Sequence, residues 1–159
     1  HNQTFNSAVL PQRMADPIFA RYLPGMAYGD HVDDPIMGRQ GPRFRSDVSM
    51  TVFLRDPASY AGGELVIRTS FGTKTVKLAA GDAVVYPSSS LHHVAPVTRG
   101  ERLVALFWVQ SHVRDPARRE LLYELNQARE QLLIQTPQDA ATALVDRSFA
   151  NLVRMWSDV

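Results

Sequence analysis

The sequence predicts a mainly β protein, an antiparallel sandwich or barrel, with helices after the strands. From residue 47 to residue 110, short β-rich runs alternate with turns, and the turns SFGT, AAGD and TRGE each contain a glycine. Strands at such close spacing favour antiparallel pairing. Near residue 112 the apolar pattern changes to the spacing that is typical of helices.

The region before these strands is apolar and contains one predicted turn. Residues 16–29, DPIFARYLPGMAYG, lead through a Pro-Gly turn into a first strand. The pattern leaves open whether the stretch before the turn is helix or strand. Because the first residue is His1 rather than methionine, we expect an upstream segment beyond this sequence.

The strand region begins at residues 47–54, DVSMTVFL, where side chains alternate with a period of two. One face carries Val48, Met50, Val52 and Leu54, and the other carries Ser49, Thr51 and Phe53. The runs that follow are GGELVIR, TKTVKL, DAVVYP, LHHVAPV and RLVALFWVQ. Each is short enough to be one strand of a sandwich or barrel.

Two helices are predicted at the C-terminal end. Asp115 and Thr136 are each followed by a proline, which is typical of a helix start. Apolar residues then recur at helical spacing, at Leu121, Leu122, Leu125, Leu132 and Leu133 and again at Leu144, Val145, Leu152 and Trp156. We expect residues 113–159 to pack as helices on a core formed by residues 1–112, within a single domain.

The composition excludes several classes of function. With 17 basic and 16 acidic side chains the net charge is +1, so neither nucleic-acid binding nor a polybasic membrane surface is expected. The longest apolar run, residues 103–113, is far below the roughly 20 residues of a membrane span. No secretory pattern opens the chain, and we expect a cytoplasmic protein that acts on a small molecule or a peptide.

The candidate chemistry lies in the segment YGDHVDDP, residues 28–35. If residues 31 to 33 are extended, His31 and Asp33 project from one face of the strand. The chain has no cysteine, so a metal would need nitrogen and oxygen ligands. A third ligand is available in YPSSSLHHV, and two histidines with one carboxylate form the facial triad of non-heme iron oxygenases. The tripeptide alone is a weak motif, because surface pairs show it too.

Arg102 strengthens this interpretation. It follows His92 by ten residues across the turn TRGE, and a guanidinium that faces a pocket can bind a carboxylate through two hydrogen bonds. Without the other residues, a solvated arginine at the start of a strand would be the preferred interpretation.

The residues match a known family over most of residues 17–126. The matching segments are FARYLPGMAYGDHVDDP, RSDVSMTVFLRDPASYAGGEL, VKLAAGDAVVYPSSSLHHVAPVTRGERL and WVQSHVRDPARRELLYELN. The chain resembles the PKHD-type hydroxylases, iron(II)- and 2-oxoglutarate-dependent dioxygenases of the prolyl 4-hydroxylase-like group. The resemblance implies a double-stranded β-helix, the jelly roll that cupins also adopt.

The resemblance also implies roles for individual residues. His31, Asp33 and His92 would bind iron, and Arg102 would anchor 2-oxoglutarate. His93 is the rival third ligand, but neighbours on a strand point to opposite faces, so only one of the two histidines can reach the metal.

Further residues are expected to line the same pocket. Tyr22 matches a tyrosine near the cosubstrate in related prolyl hydroxylases, and Trp108 matches a tryptophan on the strand of the anchoring arginine. Tyr28 either lines the pocket or packs. Ser49 or Thr51 is a weaker candidate for a hydrogen bond to 2-oxoglutarate.

The implied activity is hydroxylation of a C–H group, coupled to decarboxylation of 2-oxoglutarate to succinate. The cofactors would be Fe(II), 2-oxoglutarate and dioxygen, with ascorbate (vitamin C) as a reductant. The substrate stays open between a small molecule and a peptide, with a link to siderophore or iron uptake suggested by relatives. A homo-oligomer that pairs through the C-terminal helices is also open.

Two alternatives remain at this point. The segment GDAVVYPSSSLHHV also resembles the second cupin motif, although cupins usually supply a His-x-His pair and a glutamate. A non-catalytic sensor of iron or 2-oxoglutarate would keep the same ligands.

The loop of residues 34–47, with Arg39, Arg43 and Arg45, is either a lid over an acidic substrate or a solvated basic loop.

Overall fold

A computed structural model describes residues 2–38 and 41–158 of the protein. Its helices are α1 (Gln3–Val9), α2 (Pro116–Gln135) and α3 (Ala140–Trp156), with a short 3₁₀ helix at Pro57–Ser59. Its strands are β1 (Pro11–Met14), β2 (Ile18–Tyr22), β3 (Tyr28–His31), β4 (Ile36–Met37), β5 (Phe44–Arg45), β6 (Val48–Phe53), β7 (Ala61–Gly62), β8 (Leu65–Thr69), β9 (Gly72–Val76), β10 (Ala83–Pro87), β11 (His92–Val94), β12 (Val97–Arg99) and β13 (Arg102–Ser111). The predicted mainly β fold is confirmed.

The strands form two main sheets. One has the order β1-β13-β6-β10, with β2 also paired to β13, and the other has the order β3-β11-β8-β9. The remaining strands form two short pairs, β12 with β7 and β4 with β5. The pairings whose register is resolved are antiparallel, as the short glycine turns predict.

The chain divides into two compact units. Residues 13–109 form one unit, and the described residues of 1–12 and 110–159 form the other. The core of the first unit contains side chains from both main sheets, namely Phe53, Leu65, Ile67, Val76, Tyr86, Val94 and Val104. This is the interior of a β sandwich, in which the inward residues of each strand alternate with outward ones.

The inward face of β6 is the one that carries its polar residues. Ser49, Thr51 and Phe53 are all buried, and Ser49 is the register partner of both Tyr86 and Trp108. Register partners share a face of a sheet, so these three side chains form one row. Phe53 completes the core at one end of the strand, while Ser49 lies at the other end among polar groups.

A bulge interrupts the pairing of β3 with β11. His92 pairs with His31 while Val94 pairs with Tyr28, so three steps along β3 match two steps along β11. The additional residue lets Tyr28 and His31 share a face despite their odd spacing. Their rings meet edge to face, with centroids 4.4 Å apart.

The second unit contains the three α-helices. As predicted, α2 begins after Asp115, whose side chain accepts hydrogen bonds from Ala117 and Arg118. None of the helices in residues 2–38 and 41–158 combines the length and the hydropathy of a membrane span. The packing of residues 113–159 on a core of residues 1–112 stays a prediction.

The predicted start of the last helix was wrong by a few residues. Thr136 ends α2, since its N–H donates to the carbonyl of Leu132. The N-cap of α3 is Asp139, which accepts from the N–H of Ala141. Threonine and aspartate compete for the same capping role, and here the threonine completes the preceding helix.

Gly62 in β7 is a position that other residues cannot occupy. Its φ is +72°, and an added Cβ would lie 2.0 Å from the carbonyl oxygen of Pro96. We therefore expect Gly62→Ala to lower the free energy of unfolding by about 3 kcal/mol, from left-handed strain together with the clash.

Denaturant unfolding of the purified variant measures this loss. Gly41→Ala is the matched control, because a Cβ at Gly41 meets nothing within 4 Å and its φ lies outside the left-handed region. Equal midpoints for the two variants would contradict the close approach of β7 to Pro96.

Candidate active site

Three side chains from two neighbouring strands meet inside the first unit. His31 ends β3, Asp33 follows it by two residues, and His92 begins β11 as the register partner of His31. Oδ1 of Asp33 lies 3.8 Å from Nε2 of His31 and 3.9 Å from Nε2 of His92. One ligand atom from each residue can be chosen so that all lie within 4.8 Å of one another. The group is compact enough to bind a single metal ion.

Backbone carbonyls orient both imidazoles. Nδ1 of His31 lies 2.8 Å from the carbonyl oxygen of Gly29, and Nδ1 of His92 lies 2.9 Å from that of Ser90. Because a carbonyl can only accept, each Nδ1 donates and each neutral ring keeps its lone pair on Nε2. The donor set is thus two imidazole nitrogens and one carboxylate oxygen, which fits ferrous iron with further positions open.

His93 is not part of this group. Its Nδ1 lies 2.8 Å from Oδ1 of Asp30, whose Oδ2 accepts from Arg68 at 2.6 Å. Asp30 and Arg68 are exposed, so this contact lies on the outer face of the sheet. The strand alternation therefore brings His92, and not His93, to Asp33.

Arg102 lies in the same cavity as the three side chains and is 1% exposed. Its guanidinium carbon lies 5.0 Å from the ring centroid of Tyr22 and 5.7 Å from that of Phe53. Its Nε and Nη1 are buried and have no hydrogen-bond partner among the described residues. Burial lowers the pKa of Arg102, and the electrostatic influence of three tyrosines opposes this effect. The group still stays charged, since arginine is protonated at any physiological pH.

Gly63 makes room for the Arg102 side chain. A Cβ at Gly63 would lie 3.0 Å from Cδ of Arg102 and 2.9 Å from Cγ2 of Val97, and its φ is +69°. Sequence reasoning placed this residue only in the β-rich run GGELVIR. The signal in the sequence was the double glycine of AGGE. Gly62 lies in β7, and Gly63 leaves room for the Arg102 side chain.

The cavity has a volume of about 520 Å³. The predicted pocket residues Tyr22, Tyr28, Ser49, Thr51 and Trp108 line it together with His31, Asp33, His92 and Arg102. Ser49 nevertheless donates its hydroxyl hydrogen to Oδ2 of Asp33, so that hydroxyl is already engaged. The hydroxyl of Thr51 in turn bonds to the phenol of Tyr86, so each of the two hydroxyls has a partner inside the cavity.

Tyr86 is a pocket residue that sequence reasoning did not single out. Its ring meets that of His92 edge to face, with centroids 5.0 Å apart. Burial, followed by the charge of Asp33, raises the pKa of Tyr86 far above its ordinary value. The phenol is therefore neutral at physiological pH. The signal in the sequence was its position two residues before Ser88, because residues two apart on a strand face the same way.

The loop of residues 34–47 contributes Asp34 and Met37 to the cavity wall. Arg45 forms an ion pair with Asp47 at 2.6 Å, and Arg43 is exposed. Neither arginine lines the cavity, and Arg39 lies outside the described residues. The described part of the loop therefore does not bring basic side chains to the pocket.

Comparisons with known proteins agree with this geometry. Residues 17–110 match the family model described as the 2OG-Fe(II) oxygenase superfamily. The chain is 58% identical over 158 residues to a PKHD-type hydroxylase of Thioalkalivibrio sulfidiphilus, a match that covers 99% of this chain and 70% of that protein. The chain belongs to the 2OG-Fe(II) oxygenase superfamily. It is also 45% identical to a PKHD-type hydroxylase of Synechococcus elongatus, over 99% of this chain and 71% of that protein.

Solved structures support the fold of this oxygenase. A Pseudomonas putida prolyl-4-hydroxylase is 28% identical, with a TM-score of 0.51 over 65% of this chain and 55% of that one. A viral collagen prolyl hydroxylase from Paramecium Bursaria Chlorella virus-1 is 22% identical, with a TM-score of 0.52 over 67% of this chain and 64% of that one. The chain thus spans less than two thirds of each structure. The jelly-roll fold is confirmed, and the protein is an oxygenase of the hydroxylase type.

The site geometry predicts which histidine a divalent metal needs. We expect His92→Ala to weaken Mn(II) binding to the metal-free protein by more than about 100-fold, because even outer-shell partners of a metal ligand contribute 10–100-fold. His93→Ala is the matched control, since its side chain bonds to Asp30 on the outer face. Isothermal titration measures both, and a comparable loss in His93→Ala would remove His92 from its role.

Proposed function

We propose that the protein hydroxylates a substrate C–H group with Fe(II) held by His31, Asp33 and His92 and 2-oxoglutarate held by Arg102. The balanced reaction consumes substrate, 2-oxoglutarate and dioxygen and yields hydroxylated substrate, succinate and carbon dioxide. The observation that carries the proposal is the buried guanidinium of Arg102, which has no carboxylate partner among the described residues yet faces the cavity of the three candidate ligands.

Arg102 is suited to bind one end of a dicarboxylate. An uncompensated buried charge costs several kcal/mol, so a protein retains one only where a partner offsets the cost. A carboxylate offers two oxygens to the planar guanidinium and forms charge-assisted hydrogen bonds. The aromatic rings of Tyr22 and Phe53 hold the guanidinium at the base of the cavity.

The three candidate ligands lie at another part of the same cavity. Iron, when bound, supplies the redox chemistry that activates dioxygen. The two backbone carbonyls keep the Nε2 lone pairs of His31 and His92 directed at the site, and Asp33 adds a negative charge that favours a divalent cation. Three protein ligands leave coordination positions for the cosubstrate and for dioxygen.

The substrate enters, in this proposal, at the open end of the cavity. Ile18, Tyr28 and Val32 line it there and are each more than half exposed. Asp34 lines the same cavity and forms no ion pair with the described residues. These features favour an apolar or basic group near the site over the acidic substrate that the loop arginines suggested.

Arg102→Met tests the anchoring role. We expect the apparent KM for 2-oxoglutarate to rise at least about tenfold, as for loss of a charge-assisted bidentate pair. Mn(II) affinity should be unchanged, and the metal-free variant should unfold at the same temperature or higher, because an uncompensated buried charge is removed.

Arg99→Met is the control for Arg102→Met, since Arg99 is exposed and does not line the cavity. Steady-state kinetics and thermal unfolding measure both variants. A KM for 2-oxoglutarate that stays the same in Arg102→Met would assign the cosubstrate to other residues.

The activity itself is tested by admitting oxygen to anaerobic protein with Fe(II) and labelled 2-oxoglutarate. We expect succinate from the wild type and none above background from Asp33→Ala. If 2-oxoglutarate binds but no succinate forms with either small-molecule or peptide substrates, the result would favour the sensor alternative. Metal binding without affinity for 2-oxoglutarate would favour the cupin alternative.

A further inference from the structure

A chain of buried hydroxyl groups ends on the carboxylate of Asp33. Ser46 donates to Oγ of Ser88 at 2.9 Å, Ser88 and Ser49 share a hydrogen bond at 2.8 Å, and Ser49 donates to Oδ2 of Asp33. The three serines are 8%, 3% and 3% exposed. We call this chain of Ser46, Ser88 and Ser49 the serine relay.

The order of donors in the serine relay is determined by its two ends. The carboxylate accepts from Ser49, so Ser49 cannot also donate to Ser88 with its single hydrogen. Ser88 must therefore donate to Ser49, and Ser46 donates to Ser88. Each hydroxyl then donates once in the same direction, an arrangement in which successive hydrogen bonds strengthen one another.

The serine relay distinguishes the two carboxylate oxygens of Asp33. Oδ2 receives the hydroxyl hydrogen of Ser49, while Oδ1 lies toward Nε2 of both histidines. A carboxylate whose second oxygen is engaged in this way can offer only the first oxygen to a metal ion. The carboxylate is also held against rotation about its own axis.

Backbone hydrogen bonds tie the same residues together. The N–H of Asp33 donates to the carbonyl of Ser88 at 3.2 Å, and the N–H of Ser88 donates to the carbonyl of Asp47 at 3.1 Å. The N–H of Ser46 donates to the carbonyl of Pro35 at 3.0 Å. The two ends of the loop that follows Asp33 are thus fastened to the strand and turn that carry the serine relay.

We propose that Ser49 and Ser88 are positioning residues that hold Asp33 as a one-oxygen ligand, with Ser46 as the anchor of the relay. The inference rests on the proposed iron site. It adds that Ser49 and Ser88 act on the metal through Asp33 without touching it. Their contribution should decrease with distance from the carboxylate, from Ser49 to Ser88 to Ser46.

The test compares serine-to-alanine variants as metal-free proteins titrated with Mn(II) or Co(II). We expect Ser49→Ala to raise the metal Kd about 10- to 100-fold, the range for residues that orient a metal ligand. Ser88→Ala and Ser46→Ala should give progressively smaller increases. The visible spectrum of bound Co(II) should change in Ser49→Ala, because Oδ2 becomes free to approach the metal.

Two controls separate positioning from general structure. Ser89→Ala lies in the same turn but is exposed, so its Kd and Co(II) spectrum should match the wild type. Ser49→Thr keeps a hydroxyl on the strand. Its metal Kd should lie within about threefold of the wild-type value, a smaller change than the loss expected in Ser49→Ala. Circular dichroism confirms that each variant is folded before titration.

The outcomes for the two proposals differ. If the wild type binds metal and His92→Ala does not, an unchanged Kd in Ser49→Ala overturns the serine relay alone. An equal loss in Ser89→Ala would also overturn it, since that side chain is outside the relay. A wild type that binds no divalent metal would overturn the iron site and the relay together.

Discussion

The site depends on one cross-strand pairing, the register that sets His31 of β3 opposite His92 of β11. Register partners share a face of their sheet, so two imidazoles that are distant in the chain meet with ring centroids 4.2 Å apart. The bulge beside them and the two backbone carbonyls then determine how the rings are turned. A shift of one residue in this register would direct His93 inward and His92 outward.

Asp33 and Arg102, two charged side chains that line the cavity, have opposite surroundings. Asp33 accepts a hydrogen bond from Ser49 on Oδ2, and its Oδ1 lies 3.8 Å and 3.9 Å from Nε2 of His31 and His92. Arg102 is buried with no carboxylate partner in residues 2–38 and 41–158, between aromatic rings that cannot accept its hydrogens in full. The protein therefore carries a destabilising charge at the position where, in the proposed function, a carboxylate of 2-oxoglutarate would be the partner. Such a trade of stability against function is common at binding sites.

The inward face of β6 serves both the core and the site. Phe53 packs among apolar side chains at one end of the strand, and Ser49 joins the serine relay at the other. Polar residues on an inward face are stable only where partners satisfy them. The serine relay and the carboxylate supply those partners, so the hydrogen bonds that position the candidate ligand Asp33 also permit polar residues on the inward face of β6.

The sequence by itself determined the fold class, the strands from residue 47 onward and the histidine-aspartate pair, because alternation, glycine turns and short motifs are local signals. It also indicated that only one of His92 and His93 could reach a metal, since neighbours on a strand face opposite ways. The start of α3, the role of Gly63 and the engagement of Ser49 by Asp33 depend on contacts between distant segments. Only the tertiary structure could decide them, because capping choices, close approaches and hydrogen-bond partners are set by which side chains the pairing of strands brings together.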